Sequence, residues 1–515
     1  MFFKTKGISI QVEIPYFFML HFRQHILLLF TLLGCNGAWA SLEFNYNCRK
    51  AYENVTALRF SKANQFIEAE KKNNPNNKLT ILSENYRDCM EIILDENKAQ
   101  LSKFIKQKDV RLNALAKESE LSPYYLYAQA EVNMQWAFAH IKTGEYLNGV
   151  LEINRAYKML TKNVKKFPNF IPQFKSLGLL HSLIGVVPDE YKWAVNILGF
   201  SGSLAQGNNE LQLFYNAAFK DTLNQCYQTE ATLMLGIIQL NFFPDERSLN
   251  KIIAQINQQK QLNPVLSFIY ADICMHNGNS AEALNHLIKN KYAENTFFKF
   301  HYLNYLIGMA KLYHLDDDAH IYLEAYVNEF KGATFVKAAY LKLAYHYLLH
   351  QNTEKYKYYI KQIQIHGNET TDEDKAAQKE AKSNIAPNLY LLKSRLLFDG
   401  GFYSDSYTSL IRANKEDFKT TKEQLEFIYR LGRIQHKKEN FNKAIYYYQM
   451  ALKNGASYPY YFAANAALNL GLIYEELENN TKAKFYFVQC LKMKDHEYQR
   501  SIDQKAKAGL KRLEH

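Results

Sequence analysis

Glycine and proline, the residues that most often interrupt regular structure, are scarce in this chain of 515 residues, which has 21 Gly and 10 Pro. Strand-rich folds need frequent turns, and turns depend heavily on these two residues. Their scarcity therefore argues against a β-sandwich or a β-barrel. Because 47% of the residues are hydrophobic, a disordered chain is also excluded. Long stretches of Leu, Ala, Lys, Glu, Gln and Tyr remain, and this composition predicts an all-α protein.

Cysteine is rare, and its spacing matches no familiar metal site. Neither a CxxC pair nor any other metal-ligand spacing is present, so we expect neither a zinc site nor a disulfide framework. Most of the cysteines are predicted to be buried in helices as small apolar residues. The six are Cys35, Cys48, Cys89, Cys226, Cys274 and Cys490.

The sequence also lacks the common catalytic and cofactor motifs. It has no P-loop, no His-Glu-x-x-His and no Gly-x-Ser-x-Gly elbow, and GFSGS at 199–203 does not have the elbow spacing. The stretch HLDDDAH at 314–320 places three aspartates between two histidines, but it falls at a predicted turn, where acidic residues cap the following helix. We therefore predict no metal, no cofactor and no enzymatic activity.

The formal net charge of +12 raises the question of a nucleic-acid partner. The basic residues are mostly lysines and are scattered, with only short clusters at 71–72, 165–166 and 437–438. A nucleic-acid site usually combines arginines with stacking aromatic side chains in one strip. Since no such strip is found, no nucleic-acid partner is predicted.

The N-terminus has the layout of an export signal. From Met19, a possible true start, a short polar segment with Arg23 leads into an apolar core at 26–33 and then to an Ala-x-Ala site that ends at Ala40. The apolar core is too short to span a bilayer, which needs about 20 apolar residues. We therefore predict a signal peptide over 1–40 and an exported protein of the periplasm or outer membrane, with secretion also possible.

A second interpretation of the same region stays open. The tetrapeptide that ends at Cys35 looks like a bacterial lipobox, which would make Cys35 a lipid-modified first residue. Membrane attachment is expected only in that case, and the protein would then be an assembly factor anchored to a membrane surface.

A repeated pattern of small and large residues marks the C-terminal region. Leu431 and Gly432 are followed by Ala444, Tyr448 and Ala451 at fixed offsets. In the tetratricopeptide repeat, small residues at these offsets let two helices cross closely, and large residues fill the groove to the next repeat. The spacing therefore resembles this repeat.

Further copies support that resemblance and predict an α-α superhelix of tetratricopeptide-like helical hairpins. The second clear copy consists of Leu470, Gly471, Tyr474, Ala483 and Phe487. Weaker copies with the same offsets lie upstream, at Ala271, Ala283 and Leu287, at Ser394, Ser406 and Leu410, and at Ala137, Gly149 and Ile153.

Two points divide the predicted array. The Asn-Pro pair at 263–264 separates an N-terminal helical domain with degenerate hairpins, residues 41–263, from a more regular array, residues 264–515. Residues 366–387 are polar and charged, and we predict an exposed loop or a solvated helix that is open to proteolysis.

Residues 178–207 stand apart because they contain five glycines and one proline. The apolar part is too short to span a membrane, and the glycines lack the lysine and hydroxyl of a phosphate-binding loop. We interpret the segment as a joint between two helical halves, in which glycines permit close helix approach. The alternative is a binding cleft lined by His181, Tyr191, Lys192 and Trp193.

The glycine-rich joint is also similar to the region around the Phe-Ser-Gly motif of the tetratricopeptide repeat protein 39 family, whose fungal members were described as mitochondrial outer-membrane proteins. The resemblance covers the chain from about residue 125 to its end and implies an adaptor or scaffold without established enzymatic activity. The eukaryotic members lack an export signal. The predicted signal in this sequence therefore indicates a bacterial envelope relative of the same repeat type. The matching positions are Pro188, Leu198, Gly199, Phe200, Gly202, Gly207 and Leu211.

These patterns together predict a non-enzymatic scaffold or adaptor of the cell envelope that binds protein partners through the concave face of a superhelix. The alternative is an envelope protein that binds a glycan or lipid through exposed aromatic side chains such as Trp136, Trp193, Tyr124 and Tyr125. A glycan binder needs an exposed aromatic platform, whereas a scaffold buries its aromatic residues at repeat positions. The exposure of these side chains therefore separates the two hypotheses.

Overall fold

The structure is a computed structural model that describes residues 42–187, 192–243, 245–259, 262–290, 292 and 295–513. Within these ranges the regular structure is entirely helical, with 25 α-helices, and no strand is formed. The predicted signal peptide, the possible start at Met19 and the possible lipidation site Cys35 lie outside the described residues.

The N-terminal part of the described chain is built from eleven helices. They are α1 (Tyr46–Thr56), α2 (Phe60–Asn73), α3 (Thr80–Asp95), α4 (Lys98–Leu115), α5 (Tyr124–Lys142), α6 (Tyr146–Lys166), α7 (Gln173–Gly185), α8 (Lys192–Ile197), α9 (Leu204–Lys220), α10 (Gln228–Phe242) and α11 (Glu246–Asn257).

The C-terminal part contains the other fourteen. They are α12 (Pro264–His276), α13 (Ser280–Lys289), α14 (Tyr302–His314), α15 (Ala319–Glu329), α16 (Val336–Leu349), α17 (Thr353–Ile365), α18 (Asp372–Ser383), α19 (Leu389–Asp399), α20 (Tyr403–Ile411), α21 (Thr421–Lys437), α22 (Phe441–Gly455), α23 (Tyr461–Glu476), α24 (Asn480–Lys492) and α25 (Gln499–Arg512).

Most helices pack against the next one along the chain, as in α5 with α6, α16 with α17 and α23 with α24. The two helices of a pair differ in how many of their residues are buried. Ten residues of α23 are buried, whereas α24 buries only three, because the first helix lies between neighbours and the second has one solvated face. This arrangement of stacked helical pairs is the α-α superhelix that the repeat pattern predicts.

Local sequence signals set where several helices begin. The Asn263 side chain accepts a hydrogen bond from the Leu266 amide, and Pro264 occupies the first turn of α12. Helix α21 begins with a capping box, in which Thr420 and Glu423 satisfy each other's backbone amides.

The hydrophobic core does not break at the predicted division between 263 and 264. One continuous cluster of buried side chains extends from Leu211 on α9 to Leu396 on α19, and it includes residues on both sides of Pro264. The Asn-Pro pair is therefore a helix start inside a shared core, because capping residues mark the end of an element and not the end of a domain.

Of the two alternatives predicted for residues 366–387, an exposed loop or a solvated helix, the structure shows a helix with one buried face. The middle of this segment is helix α18, which packs against α16 and α17 and buries Asp374, Ala377 and Ala381. The Asp374 carboxylate accepts hydrogen bonds from the amides of Phe335 and Ala338 at 2.9 and 3.1 Å. It thus caps the N-terminus of α16, where backbone amides attract a negative charge.

The glycine-rich segment brings α7 and α9 into close contact. A Cβ atom added at Gly207 would lie 2.4 Å from the carbonyl oxygen of Gly178, and one at Gly178 would lie 2.9 Å from that of Gly207. Gly199 has a φ of +70°, which L side chains rarely adopt. These glycines therefore allow a helix crossing and a turn that larger residues would obstruct.

Two further features concern the chain as a whole. No helix among the described residues is long and apolar enough to cross a membrane. The five described cysteines, which are Cys48, Cys89, Cys226, Cys274 and Cys490, are buried and carry free thiols.

Candidate binding groove

A cavity of about 1020 Å³ lies along the inner side of the C-terminal array. Its walls come from α12, α14, α16, α19, α21 and α23, and from the turn before α25. Helix α18 also lines this cavity, so the segment predicted to be an exposed loop or a solvated helix forms one of its walls. We call this cavity the groove.

Aromatic side chains form much of the groove surface. They come from five of the surrounding helices or their caps, and several contact one another. The Tyr305 and Phe335 rings stack with centroids 4.9 Å apart, and Tyr461 packs edge-on against Tyr498 at 5.4 Å. The aromatic residues of the lining are Phe268, Tyr302, Tyr305, Tyr313, Phe335, Tyr345, Tyr460, Tyr461, Phe462 and Tyr498.

The charge of the groove has the opposite sign to that of the whole chain. Seven carboxylates and five lysine or arginine side chains line it, a balance of −2, whereas the chain carries +12. The acidic residues are Asp272, Glu373, Glu380, Asp399, Glu423, Glu426 and Glu497, and the basic ones are Lys342, Lys379, Arg395, Lys422 and Arg430.

Two charged groups in the groove wall have hydrogen-bonding atoms without a partner. The Glu380 carboxylate accepts a hydrogen bond from the Tyr345 hydroxyl at 2.5 Å through one oxygen, but its Oε1 atom is buried and unpaired. Nη2 of Arg395 is likewise buried and unpaired, although the guanidinium lies 4.9 Å from the Tyr345 ring centre. Buried polar atoms normally find partners in a folded protein, so these two atoms favour a polar ligand in the groove.

Asp272 and Lys342 both have shifted pKa values in this groove. Burial, together with the nearby Glu373 carboxylate, raises the pKa of Asp272 to about 6. Burial and then Arg395 lower the pKa of Lys342. For both groups, the charged form is therefore less favourable in the groove than it is in water.

Helix α18 is joined to the C-terminal turn across the mouth of the groove. Nζ of Lys379 lies 3.3 Å from Oε1 of Glu497, and Nζ of Lys422 lies 3.9 Å from the same atom. The Lys379 ammonium also lies 5.9 Å from the Tyr498 ring centre. Because these side chains are largely solvated, the contact contributes at most about 1 kcal/mol and can open easily.

The ten predicted repeat positions lie in the C-terminal array and are all buried. A Cβ atom at Gly432 would lie 2.7 Å from the Tyr448 ring, and one at Gly471 would lie 2.5 Å from the Phe487 ring. In both copies the glycine thus makes room for the large residue of its partner helix, which is the geometrical role that the spacing suggests. The ten are Leu431, Gly432, Ala444, Tyr448, Ala451, Leu470, Gly471, Tyr474, Ala483 and Phe487.

The alternative cleft at the glycine-rich joint is not supported by the described residues. His181 is buried, and its Nδ1 atom lies 2.6 Å from Oε2 of Glu210. Lys192 and Trp193 are exposed on the short helix α8, while Tyr191 lies outside the described residues. None of the three described residues lines the groove. His181 is turned inward because the α7–α9 crossing buries that face of α7.

The aromatic platform suggested for a glycan binder is not formed either. Trp136 is buried in α5, and its Nε1 donates a hydrogen bond to Oδ1 of Asn85 at 2.9 Å. Tyr124 is partly buried between Phe44 and Phe170, and Trp193 alone of the suggested residues is strongly exposed, at 63%. Trp136 and Tyr124 therefore fill gaps between helices.

The aspartates of HLDDDAH occupy the turn between α14 and α15, as expected, but they do not cap α15 through their side chains. Asp318 is at the N-cap position, yet its carboxylate binds the Lys311 ammonium at 2.8 Å. Lys311 lies on the neighbouring helix and competes with the backbone amides for this carboxylate. No group of three or more potential metal ligands comes together within the described part of the chain.

A separate buried charge cluster lies in the N-terminal part. Nζ of Lys175 lies 2.5 Å from Oε2 of Glu131 and 3.0 Å from Oε1 of Glu230. The Tyr52 hydroxyl completes the cluster with a hydrogen bond to Glu230 at 2.7 Å. Burial would lower the pKa of Lys175, but the two carboxylates raise it. Since its charges are mutually paired and enclosed, we assign this cluster a structural role.

The charged groove residues were not identified from the sequence, although a signal for them exists. Asp272 is the single charged residue of the otherwise apolar helix α12, and Lys342 and Arg395 are among the few charged residues of α16 and α19. Such a helix lies between neighbours in a superhelix, so an isolated charge on it must face either the groove or a buried partner. The pattern could therefore have indicated candidate groove residues, but it could not have shown which of them lie close together in the fold.

Comparisons with known proteins agree with the repeat interpretation. The tetratricopeptide repeat family matches residues 464–496, a segment that contains all five positions of the second predicted copy. None of the curated proteins compared with this sequence matches it. Among solved structures, a chain in the crystal structure of the APC/C hetero-tetramer Cut9-Hcn1 is similar at 12% identity, with a TM-score of 0.24.

That alignment covers 91% of this chain and 96% of the other. The resemblance to the tetratricopeptide repeat protein 39 family remains a prediction from the sequence. The matched repeat at residues 464–496, the helical pairs and the glycine-to-aromatic packing between their helices show an α-α superhelix of tetratricopeptide-like hairpins.

Proposed function

We propose that this protein is a non-enzymatic scaffold of the cell envelope that binds a segment of a partner protein in the groove. Stacked helical pairs of this type commonly bind proteins, because they present an extended concave surface. The observation that carries the proposal is the groove itself, with its aromatic walls and the unpaired atoms Glu380 Oε1 and Arg395 Nη2. Unpaired atoms of this kind suit the backbone and side chains of a bound peptide.

The width of the groove favours a peptide over a compact small molecule. Its walls come from seven helices and one turn, and its volume of about 1020 Å³ is at the upper end of the range for small-molecule pockets. Lys379, Lys422 and Glu497 stand at its mouth and would close over a bound segment.

The partner proposal is tested by filling the groove. Ala376 is exposed on α18 and lines the groove, so Ala376→Trp should block it without disturbing the core. Ala508→Trp on α25 is the matched control, since Ala508 is also an exposed helical alanine but does not line the groove. Circular dichroism would confirm that both variants fold.

The measurement is in-cell crosslinking followed by affinity capture and mass spectrometry. We expect partners that are captured by the wild-type protein and by Ala508→Trp but lost with Ala376→Trp. If the same partners remain bound to Ala376→Trp, the groove is not the binding surface.

The envelope part of the proposal rests on the N-terminal sequence alone and has its own test. A mature chain that begins at Ser41 would indicate signal-peptide cleavage, and an acylated Cys35 would indicate a membrane-anchored lipoprotein. Mass spectrometry of the mature N-terminus distinguishes them, and an uncleaved N-terminus would contradict both.

A further inference from the structure

Helix α6 is the outer member of the pair that it forms with α5. It buries six of its 21 residues, whereas α5 buries thirteen of its 19. The exposed residues of α6 recur at intervals of three and four, so they lie on one side of the helix. We call this side the outer face of α6. It consists of Leu147, Leu151, Arg155, Lys158, Lys162 and Lys165.

The first half of the outer face is apolar. Leu147 is 83% exposed and Leu151 is 53% exposed, and their neighbours Tyr146 and Val150 are exposed as well. Exposed apolar side chains are normally scattered singly over a protein surface, so four of them within the first two turns of one helix form a patch. Such a patch favours a partner with an apolar interior.

The second half of the outer face is basic. Lys158, Lys162 and Lys165 are exposed and make no hydrogen bond or ion pair within the described part of the chain. The only acidic residue of α6 is Glu152, which is buried and pairs with Arg155 at 2.9 Å. The outer face therefore carries positive charge that no residue of its own helix compensates, directly beside its apolar half.

A second element with exposed apolar residues lies beside this helix. The Phe200 ring packs edge-on against Tyr157 of α6 with centroids 5.0 Å apart, and the Tyr157 hydroxyl donates a hydrogen bond to the Ser201 carbonyl at 2.8 Å. Ile197, the last residue of α8, comes three residues before Phe200, so their Cα atoms lie within about 11 Å of each other. Ile197 and Trp193 are both strongly exposed, and they add apolar surface next to α6.

We propose that the outer face of α6 docks on the surface of a bilayer that contains anionic phospholipids. Such a bilayer presents negative headgroups to the lysines and, just beneath them, hydrocarbon to Leu147 and Leu151. The surface of an acidic protein would complement the lysines but would leave the protruding leucines in water. Docking through α6 requires no acyl chain on Cys35, and it leaves the groove free, because none of the outer-face residues lines the groove.

The first experiment places a fluorophore on the outer face of the full chain. Leu147→Cys is labelled with a dye whose emission shifts to the blue in hydrocarbon, and Phe485→Cys, which is also exposed but lies on α24, is the control. The five described cysteines are buried, and Cys35→Ser in every sample removes the sixth thiol and any acyl chain. With vesicles of about 70% phosphatidylcholine and about 30% phosphatidylglycerol, we expect a blue shift at position 147 and none at position 485. Vesicles of phosphatidylcholine alone should give a much smaller shift.

The second experiment titrates the same vesicles against the dye at position 147 in two charge variants. Replacement of the three unpaired lysines of the outer face by glutamine should weaken vesicle binding at least about tenfold, since each lysine near an anionic surface adds attraction. The matched control removes the same number of charges from exposed lysines on α24 and α25 and should bind almost as tightly as the unaltered face. Circular dichroism would confirm that both variants fold. The two variants are Lys158→Gln/Lys162→Gln/Lys165→Gln and Lys484→Gln/Lys505→Gln/Lys507→Gln.

The proposal is wrong if position 147 shows no blue shift, if position 485 shifts equally, if the two vesicle compositions give equal shifts, or if the two lysine variants bind equally. If position 147 does not respond to vesicles and the outer-face variant loses a crosslinked protein, the face docks an acidic protein and not a lipid surface. All of these failures leave the scaffold proposal intact, because Ala376→Trp tests the groove, which shares no residue with the outer face.

Discussion

At the scale of single residues, Asp272 illustrates the cost of keeping a carboxylate in a partly enclosed groove. An aspartate in water has a pKa near 3.8, and burial with Glu373 raises that of Asp272 to about 6. The folded state therefore holds this proton more tightly than the unfolded state does. It follows that ionisation of Asp272 destabilises the fold as the pH rises from about 4 to above 6.

Replacement of Asp272 by asparagine should therefore stabilise the protein at high pH. A shift of about 2 pKa units corresponds to about 3 kcal/mol, so we expect Asp272→Asn to raise the free energy of unfolding by about 2 to 3 kcal/mol at pH 8 and to have little effect at pH 4. Urea denaturation at both pH values measures this, with Asp405→Asn as the exposed control.

An equal effect at both pH values would show that the change acts through packing and not through ionisation.

At the scale of helices, two helices can approach each other closely only where small residues lie at the point of crossing. Gly207 on α9 faces backbone atoms of α7, since an added Cβ would lie 2.4 Å from both the Gly178 carbonyl oxygen and the Ser182 amide nitrogen. Backbone atoms cannot move aside as a side-chain end can, so the two helices would have to separate.

We expect Gly207→Ala to destabilise the protein by about 2 to 3 kcal/mol through overpacking, even though alanine favours helix. Thermal unfolding followed by circular dichroism measures the effect. Asn209→Ala, an exposed substitution on the same helix, should be neutral or slightly stabilising. If Gly207→Ala were as stable as the wild type, the α7–α9 crossing would be more open than the structure indicates.

At the scale of the whole molecule, the N-terminal helices are tied to the C-terminal array by long-range contacts. The Glu96 carboxylate, at the end of α3, accepts hydrogen bonds from the amides of Ala333 and Thr334 at 2.7 and 3.1 Å and from the Tyr302 hydroxyl at 2.9 Å. Burial would raise the pKa of Glu96, but Lys142, the Thr334 hydroxyl and the Ala333 amide lower it. Glu96 therefore links α3 to the turn before α16.

Removal of this carboxylate should loosen that link. Glu96→Ala leaves two backbone amides without an acceptor, and we expect a loss of about 3 kcal/mol, typical of buried hydrogen bonds to a charged group. Hydrogen exchange at Ala333 and Thr334 should become faster, whereas the exposed control Glu120→Ala should leave it unchanged. Unchanged exchange in Glu96→Ala would contradict the role of Glu96 as a link.

Much of this architecture could be predicted from the chain itself, because it depends on local periodicity. Tyr448 lies sixteen residues after Gly432, and Phe487 lies sixteen residues after Gly471. This spacing indicates that each glycine meets its aromatic residue where two helices cross. For the segment 366–387, the sequence left a loop and a solvated helix open and could not predict how the helix packs. Its helix is held by Asp374 contacting the start of α16, more than thirty residues upstream, and no local pattern of hydrophobic residues reports such a contact.

The amino-acid sequence by itself thus determined the helical class, the repeat type and the small-to-large packing of the C-terminal hairpins, since these follow from interactions between residues close in the chain. Only the tertiary structure decided that α18 becomes a wall of the groove, that His181 turns inward, and that Asp272 and Glu373 line the same groove. Those features depend on how distant helices converge, and residues about a hundred positions apart leave no common pattern in one sequence.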